Sequence, residues 1–354
     1  MTNSNMYINS NLQKLKYAIK WGIAYTLFYS GILNAYRWLY CKGNVIVLMY
    51  HRVLPDLIAQ QSFSHEGIIV KAHTFEKQIK FLNKKFRPLS IDEFSENLIN
   101  KRTFYGYSCL ITFDDGWADN YSEAYPILNR YSTPATIFLP IDYIGTKRRF
   151  WQEELAELVY RLYQIGPRAI KILEKYQLTS LHERSDSDVR KMIKTFVNQL
   201  KSRSSDEINE IINEINLYLY SIDNVNVMDN VDQFMSWDEI LEMDRNNISF
   251  GSHSKSHSIM TQLSLEDVET ELETSKHTIQ SVLGHSIISF AYPNGNFNKN
   301  IAHLLKASGY EIAFTTVPGR VVDSDDTYSI KRINIHEDTT RNIPMFYCHI
   351  LGIF

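Results

Sequence analysis

Two pairs of ionisable side chains have the types and spacing that a metal site uses. Asp114 and Asp115 are adjacent and follow an apolar run that ends at Phe113. Two adjacent carboxylates repel each other unless a cation or a proton lies between them. His253 and His257 are four residues apart, and with one carboxylate they make a three-ligand site with open positions for zinc or another divalent ion. Taken alone, each pair has an ordinary explanation, a surface turn for the acids and an incidental spacing for the histidines.

Three further polar clusters lie at the ends of apolar runs or, in the case of Arg332 and His336, on the last of them. They are Tyr292-Pro293-Asn294-Gly295, Tyr50-His51-Arg52, and the pair Arg332 and His336. A run that ends in Pro and then Gly makes a rigid loop, and its backbone N–H groups, such as that of Asn294, can point at an anionic oxygen. Each cluster is weak as a lone signal, because turns of this composition and single His or Arg residues are common in structural roles.

The apolar runs that precede these residues predict buried strands, and helical spacings lie between them. The predicted strands are 45–50, 109–113, 135–139, 248–251, 287–292, 311–315 and 328–335, and the predicted helices are 74–86, 91–100, 119–131, 264–283 and 298–308. Alternation of continuous apolar strands with helices is typical of a parallel sheet covered by helices. The sequence therefore predicts an α/β fold, a closed or nearly closed barrel, with its chemistry at the carboxyl ends of the strands.

Two segments fall outside this alternation. Residues 146–235 are rich in charge and helical spacing, which predicts a helical insertion within a barrel domain of residues 44–354. Residues 1–43 contain an amphipathic helical segment, 9–40, which packs on the main domain, lies on a membrane surface with its lysines toward anionic headgroups, or is an uncleaved or atypical export signal. Its apolar run, 21–33, is too short to cross a bilayer. No small-residue cleavage site follows it, so we expect no cleavable signal peptide.

Composition excludes several classes of protein. The 354 residues carry 37 Lys and Arg against 40 Asp and Glu, a net charge of −3. A near-neutral chain lacks the global positive field of a nucleic-acid-binding protein, so we expect no nucleic acid among its partners. The three cysteines, Cys41, Cys109 and Cys348, are far apart and cannot build a disulfide framework or a Cys-rich zinc site.

The clusters, taken in order, resemble the polysaccharide deacetylase family, whose shared domain is often called the NodB homology domain. The matching segments are Leu110-Ile-Thr-Phe-Asp114-Asp115-Gly116, His253-Ser-Lys-Ser-His257 and Phe290-Ala-Tyr-Pro-Asn-Gly295, and the opening Leu48-Met-Tyr-His-Arg-Val53 is similar to one bacterial branch. The resemblance covers about 44–145 and 236–336. It implies a distorted (β/α) barrel of the NodB-homology type and the hydrolysis of N-acetyl groups on amino sugars.

The resemblance also implies roles for individual residues. Asp114 is expected to be the general base, and Asp115, His253 and His257 are expected to bind a divalent metal, Zn²⁺ in the first place, with Co²⁺ or Ni²⁺ as alternatives. The Asn294 N–H is expected to stabilise the oxyanion. Tyr292, Pro293 and His51 complete the expected substrate contacts.

The sequence departs from the usual family pattern at two places. The third motif normally carries an Arg that holds the catalytic Asp, and this chain has Ala291 there, so we expect Arg332 to replace it from the last strand. The usual Leu-x-His motif is blurred, which leaves His336 as the expected general acid and His51 as its competitor.

The expected partner is an acetylated glycan of the envelope or capsule, or its lipid-linked precursor, on a protein of the bacterial cell envelope or membrane periphery. An O-acetyl esterase and a catalytically inactive glycan-binding protein on the same scaffold are the alternatives. Two His and one carboxylate also bind Fe(II) in oxygenases, but the alternation of strands and helices disfavours that class.

Overall fold

The structure, a computed structural model, describes residues 3–201, 203–223 and 233–354. The strands are β1 Val45–Tyr50, β2 Arg52–Leu54, β3 Ile69–Lys71, β4 Arg87–Pro88, β5 Ser108–Phe113, β6 Ala135–Leu139, β7 Ile248–Ser252, β8 Ser289–Ala291, β9 Ile312–Phe314 and β10 Ile333–Asn334. The helices are α1 Asn3–Tyr29, α2 Ile32–Tyr40, α3 Asp56–Gln61, α4 Ala72–Lys85, α5 Ile91–Ile99, α6 Tyr125–Arg130, α7 Trp151–Gln164, α8 Ile170–Lys175, α9 Asp186–Leu200, α10 Ser205–Asp223, α11 Trp237–Asp244, α12 Leu265–Leu283, α13 Lys299–Ala307, α14 Glu337–Thr340 and α15 Ile343–Ile350.

One parallel sheet organises the fold. Its strands lie in the order β10-β1-β5-β6-β7-β8-β9, β4 pairs with the first residues of β5, and β2 and β3 form a separate parallel pair. The sheet curls because the segment 327–332 bridges its two edges. The Thr315 N–H donates to the Ile330 carbonyl, and β10, which follows, pairs with β1 so that Ile333 lies opposite Leu48. The predicted α/β barrel of distorted (β/α) type is confirmed.

The last predicted strand, 328–335, is much shorter than expected. Only Ile333–Asn334 is a regular strand, and the preceding residues make single bridges such as Phe314 to Ile330. The irregular segment carries an arginine side chain into the interior of the barrel. Arg332 is fully buried, with its guanidinium carbon 5.7 Å from the ring centre of Phe138 and 5.8 Å from that of Phe314.

Local capping explains why the helices between the strands begin and end where they do. The hydroxyl of Ser90 accepts the Glu93 N–H at the start of α5, and Ser264 accepts the Asp267 N–H at the start of α12. Each bond satisfies an N–H that the helix itself leaves unpaired. Gly284 follows α12 in the left-handed region, at φ 77°.

The chain divides into two compact units. The first contains residues 1–59, 66–146 and 234–354 and includes the barrel, and the second contains residues 60–65 and 147–233. In its described part the second unit is helical, from α7 to α10, around its own apolar core. Buried members of that core include Leu155, Val159, Leu162, Leu173, Ile193 and Ile215.

The N-terminal segment differs from the single helix expected over 9–40. It forms two helices, α1 and α2, separated at Ser30 and Gly31, because Gly31 adopts φ 80°. Ala24 of α1 is fully buried, and Phe28 contacts Tyr347 of α15 with ring centres 6.2 Å apart. The side chains of 9–14 lie outside the described part. No helix within the described ranges is long and apolar enough to cross a membrane.

Candidate active site

The chain makes a tight turn at Asp115 and Gly116, directly after the carboxyl end of β5. Asp115 adopts φ 75° and Gly116 φ 67°, both in the left-handed region. A Cβ on Gly116 would lie 2.8 Å from Leu139 Cδ2, so a side chain here would both displace Leu139 and strain the left-handed backbone. The left-handed turn sends the Asp114 side chain toward Arg332 and the Asp115 side chain toward His253 and His257.

Asp114 lies against the buried cation of the barrel. Arg332 Nη1 donates to Asp114 Oδ1 and Nη2 to Oδ2, both at 2.7 Å, and neither residue is more than 2% exposed. The same guanidinium donates from Nε to the Thr315 carbonyl at 2.9 Å. Burial acts to raise the pKa of the Asp114 carboxyl, but the Arg332 charge outweighs it and holds that pKa below its usual value. Asp114 is therefore ionised at neutral pH.

Asp115 lies against the two histidines. Its Oδ1 is 3.5 Å from His253 Nε2 and 3.2 Å from His257 Nε2, and one ligand atom from each of the three residues lies within 4.8 Å of the others. Asp115 Oδ1 is buried and has no hydrogen-bond partner among the described residues. Burying a carboxylate oxygen without a partner destabilises the folded state unless a cation binds that oxygen. Together, this orphaned oxygen and the two imidazoles fit a divalent cation.

His253 is oriented for ligation by its second nitrogen. The ring Nδ1 is 2.7 Å from the Ala291 carbonyl, which only accepts, so Nδ1 carries the proton and Nε2 presents a lone pair. Burial lowers the pKa of His253 to about 4, so the ring is neutral at physiological pH. Burial also acts to raise the pKa of Asp115, but the close approach of His257 outweighs it and holds that pKa far below its usual range.

His257 is held by a residue that the sequence did not reveal. Ser254 and His257 adopt φ 67° and 60°, and a buried carboxylate stabilises the turn between them. Glu271 Oε2 accepts the N–H groups of Lys255 and Ser256, both at 2.8 Å, and Oε1 accepts the Ser256 hydroxyl at 2.7 Å. No sequence signal distinguished Glu271 from the other acids of α12.

The two candidates for the general acid lie beyond adjacent strands. His51 follows β1, and its Nε2 is 3.9 Å from Asp114 Oδ2. His336 follows β10 and lies at the start of α14, with Nε2 3.2 Å from Thr339 Oγ1. Since Met49 pairs with Asn334 in parallel strands, both histidines lie at the carboxyl ends of β1 and β10.

The third cluster matches the prediction only in part. Asn294 is exposed, with φ 58°, in the turn that follows β8, and its expected oxyanion contact stays a prediction. Tyr292 is fully buried, its hydroxyl donates to the Tyr328 carbonyl and its N–H to the Phe314 carbonyl, both at 3.0 Å. Both donors of Tyr292 are thus used within the barrel, and its expected substrate contact stays a prediction. Pro293 is also buried.

A family model for polysaccharide deacetylases matches residues 101–223 and 167–313, which together span more than half of the chain. The chain belongs to the polysaccharide deacetylase family. The resemblance stated from the motifs is confirmed.

Relatives of this family member match it over part of their length. YxkH of Bacillus subtilis, named for the same family, is 32% identical over 148 residues, 41% of this chain and 53% of that protein. The poly-β-1,6-N-acetyl-D-glucosamine N-deacetylase of Staphylococcus aureus (strain MSSA476) is 30% identical over 190 residues, 51% of this chain and 61% of that protein. The chain thus spans about half the length of the curated relatives it matches.

Solved structures share the fold of this family member. The Streptococcus pyogenes deacetylase PplD, in complex with acetate, has a TM-score of 0.54 at 19% identity and covers 85% of this chain and 96% of its own. IcaB from Ammonifex degensii has a TM-score of 0.55 at 17% identity and covers 87% and 97%. At this identity the likeness shows the barrel fold.

Proposed function

We propose that this chain is a metal-dependent deacetylase that hydrolyses N-acetyl groups of amino sugars in an envelope or capsular glycan or its lipid-linked precursor. The observation that carries the proposal is the cluster of Asp115, His253 and His257 beside the ionised carboxylate of Asp114. The names of the staphylococcal relatives support an N-acetylglucosamine polymer as the substrate class.

Asp115 Oδ1, His253 Nε2 and His257 Nε2 are the atoms that would hold the cation. A divalent cation there, Zn²⁺ by the donor set and Co²⁺ or Ni²⁺ as alternatives, supplies Lewis acidity toward the acetamide carbonyl and lowers the pKa of water. The residues around it position that chemistry. Glu271 fixes the turn that carries His257, and the Ala291 carbonyl fixes the His253 ring.

Asp114 and His336 divide the proton transfers in the proposed reaction. Asp114 accepts a proton from the water that attacks the acetamide carbon, and the Asn294 N–H donates to the developing oxyanion. The C–N bond then breaks, His336 gives a proton to the leaving amine, and acetate and the free amino sugar result. Arg332 keeps Asp114 oriented and ionised at the start of the reaction.

The alternatives use the same residues differently. Hydrolysis of an O-acetyl ester releases an alcohol, which is a better leaving group than an amine and depends less on the general acid. A glycan-binding protein without catalysis needs neither an ionised Asp114 nor a metal site. The intact cluster of acids and histidines favours catalysis over binding alone.

The testing experiment is acetate release from short N-acetylglucosamine oligomers by protein stripped of metal and then given Zn²⁺, Co²⁺ or Ni²⁺. We expect no release from the stripped protein and recovery with metal. His257→Ala should remain inactive and bind no metal. His285→Ala is the matched control, since His285 pairs with Asp244 at the surface away from the cluster. An unaltered protein that binds no metal would overturn the proposal, and one that releases acetate only from O-acetylated oligomers would favour the esterase.

The general acid is tested by a pH profile. We expect His336→Gln to lower kcat about 10²- to 10⁴-fold with its zinc content unchanged, because the leaving amine loses its proton donor. A protonated acid is required, so the unaltered protein should lose activity as pH rises through the pKa of that acid, and His336→Gln should lack this alkaline limb. If His51→Gln shows both effects and His336→Gln neither, the role belongs to His51.

The N-terminal helices are proposed to lie on an anionic membrane surface. Leu15, Ile19 and Ile23 are 57%, 53% and 44% exposed and are spaced four residues apart along α1. Residues 1–55 contain no Asp or Glu, whereas Lys16 and Lys20 lie beside this stripe. An exposed apolar stripe flanked only by basic charge is complementary to anionic headgroups.

Vesicle co-sedimentation tests this surface. We expect the protein to bind phosphatidylglycerol-containing vesicles, to bind pure phosphatidylcholine weakly, and to lose binding when Ile19 is replaced by Asp. Leu265→Asp is the matched control, because Leu265 is 51% exposed on α12. Binding that Ile19→Asp leaves unchanged would show that another surface is responsible.

A further inference from the structure

The carboxylate of Asp115 has two oxygens in different environments. Oδ1 faces His253 and His257, whereas Oδ2 accepts the indole N–H of Trp117 at 3.1 Å. Trp117 is 1% exposed and follows Gly116 directly, so the turn that presents Asp115 also returns the indole to it. The Trp117 donor thus occupies one carboxylate oxygen and leaves the other for a cation.

The indole ring of Trp117 packs against two side chains. On its ring lies the guanidinium of Arg52, with its central carbon 4.3 Å from the ring centre, and the ring of Phe234 stacks with Trp117 at 4.6 Å and 18°. Trp117 and Phe234 are also joined by an isolated antiparallel bridge. A ring held by a cation and a stacked ring has little rotational freedom, so its N–H direction is fixed.

Arg52 is held in turn by a buried carboxylate. Its Nε lies 2.9 Å from Asp119 Oδ2, while the Val53 N–H donates to Asp119 Oδ1 at 2.7 Å. Arg52 is fully buried and Asp119 is 6% exposed. A cation over the face of an indole draws electron density from the ring and makes its N–H a stronger donor.

We propose that Trp117 is a positioning residue for the metal ligand Asp115: its indole N–H, strengthened by Arg52, restricts Asp115 to binding the cation through Oδ1 alone. This inference rests on the proposed metal site. Residues that hydrogen-bond to metal ligands orient them and tune the electron density they give to the metal. Loss of the N–H frees Oδ2 to rotate toward the cation, which changes both affinity and coordination.

The first test compares metal binding by the full chain and by Trp117→Phe, which keeps an aromatic ring for Arg52 and Phe234 but lacks the N–H. We expect the Kd for Zn²⁺, measured by competition with a chromophoric chelator, to rise about 10- to 100-fold. We also expect the visible absorption of bound Co²⁺ to weaken, because a second carboxylate oxygen raises the coordination number. Trp151→Phe is the matched control, since Trp151 packs against the core of the second unit.

A second variant keeps the test valid if Trp117→Phe folds poorly. Placing 3-benzothienylalanine at position 117 retains the bicyclic shape and replaces only the N–H by sulfur, and circular dichroism of the metal-free protein reports its folding. The same shifts in Kd and Co²⁺ spectrum are expected. Unchanged Kd and spectrum in both variants would overturn the inference while leaving the metal site standing. An unaltered protein that binds no Zn²⁺ would overturn the proposed function and this inference with it.

Discussion

Replacing Asp114 with Asn should reduce acetate release about 10²- to 10⁴-fold, the range expected when a general base is lost. The amide cannot accept the proton of the attacking water, whereas Asp115, His253 and His257 keep their positions. Zinc content, measured by mass spectrometry of the purified variant, should therefore stay at the unaltered level. This combination separates loss of the base from loss of the metal.

Asp92→Asn serves as the matched control, because Asp92 is exposed in the first turn of α5. Both variants change one carboxylate to an amide, but only Asp114 faces the cluster. Residual activity of Asp114→Asn above about a tenth of the unaltered rate would contradict the proposed base, since it falls outside the expected range.

Replacing Arg332 with Ala should strongly destabilise the barrel. It leaves the buried Asp114 carboxylate without its partner, which costs about 3–5 kcal/mol of the free energy of unfolding. The folded-state pKa of Asp114 is held below its usual value, so its ion pair adds stability above the unfolded pKa of about 3.9, and that stability is lost as pH falls through the folded pKa. In Arg332→Ala the contribution reverses, because burial without the cation raises the folded pKa.

Adding Ala291→Arg to Arg332→Ala provides a rescue. Ala291 is fully buried in the same interior cluster as Phe138 and Phe314, the rings beside Arg332. An arginine entering from β8 fills the volume that the first change empties and can pair with Asp114 again. Urea unfolding and acetate release should both recover in part in the double variant. Ala291→Arg alone should destabilise, because the interior then holds two cations. A double variant no better than Arg332→Ala would show that position 291 cannot reach Asp114.

Much of the barrel could be predicted because its strands are continuous apolar runs. The run before Asp114 and the run 135–139 appear as β5 and β6 within one residue of the expected bounds. The prediction of a regular strand over 328–335 was wrong, because this segment makes only single bridges to the end of β9. That tertiary arrangement has no counterpart in local periodicity. The break at Gly31 was missed for the opposite reason, since helical spacing continues on both sides of it.

The residues that the sequence missed act through contacts that join distant segments. Glu271 reaches the His257 turn from α12, and Trp117 reaches Asp115 across a left-handed turn. Neither belongs to a motif. A role for Arg332 was expected only because Ala291 stands where the family motif normally has an arginine. The missing arginine of the motif was therefore the signal. Motif matching also does not show which way a side chain points, and the Tyr292 hydroxyl donates to the Tyr328 carbonyl inside the barrel.

Barrel closure through 327–334 has a consequence for how the protein acquires its site. Leu48 and Met49 lie on the first barrel strand, yet their partners Ile333 and Asn334 in β10 come nearly three hundred residues later along the chain. Asp114 meets its counter-cation only when that last segment docks, so the carboxylate remains uncompensated throughout synthesis of the intervening chain. Pairings this distant in sequence are slow to form, because closing the intervening loop costs chain entropy. Assembly of the reaction centre is thereby coupled to completion of the fold, because Asp114 pairs with Arg332 only after this last segment has joined the sheet.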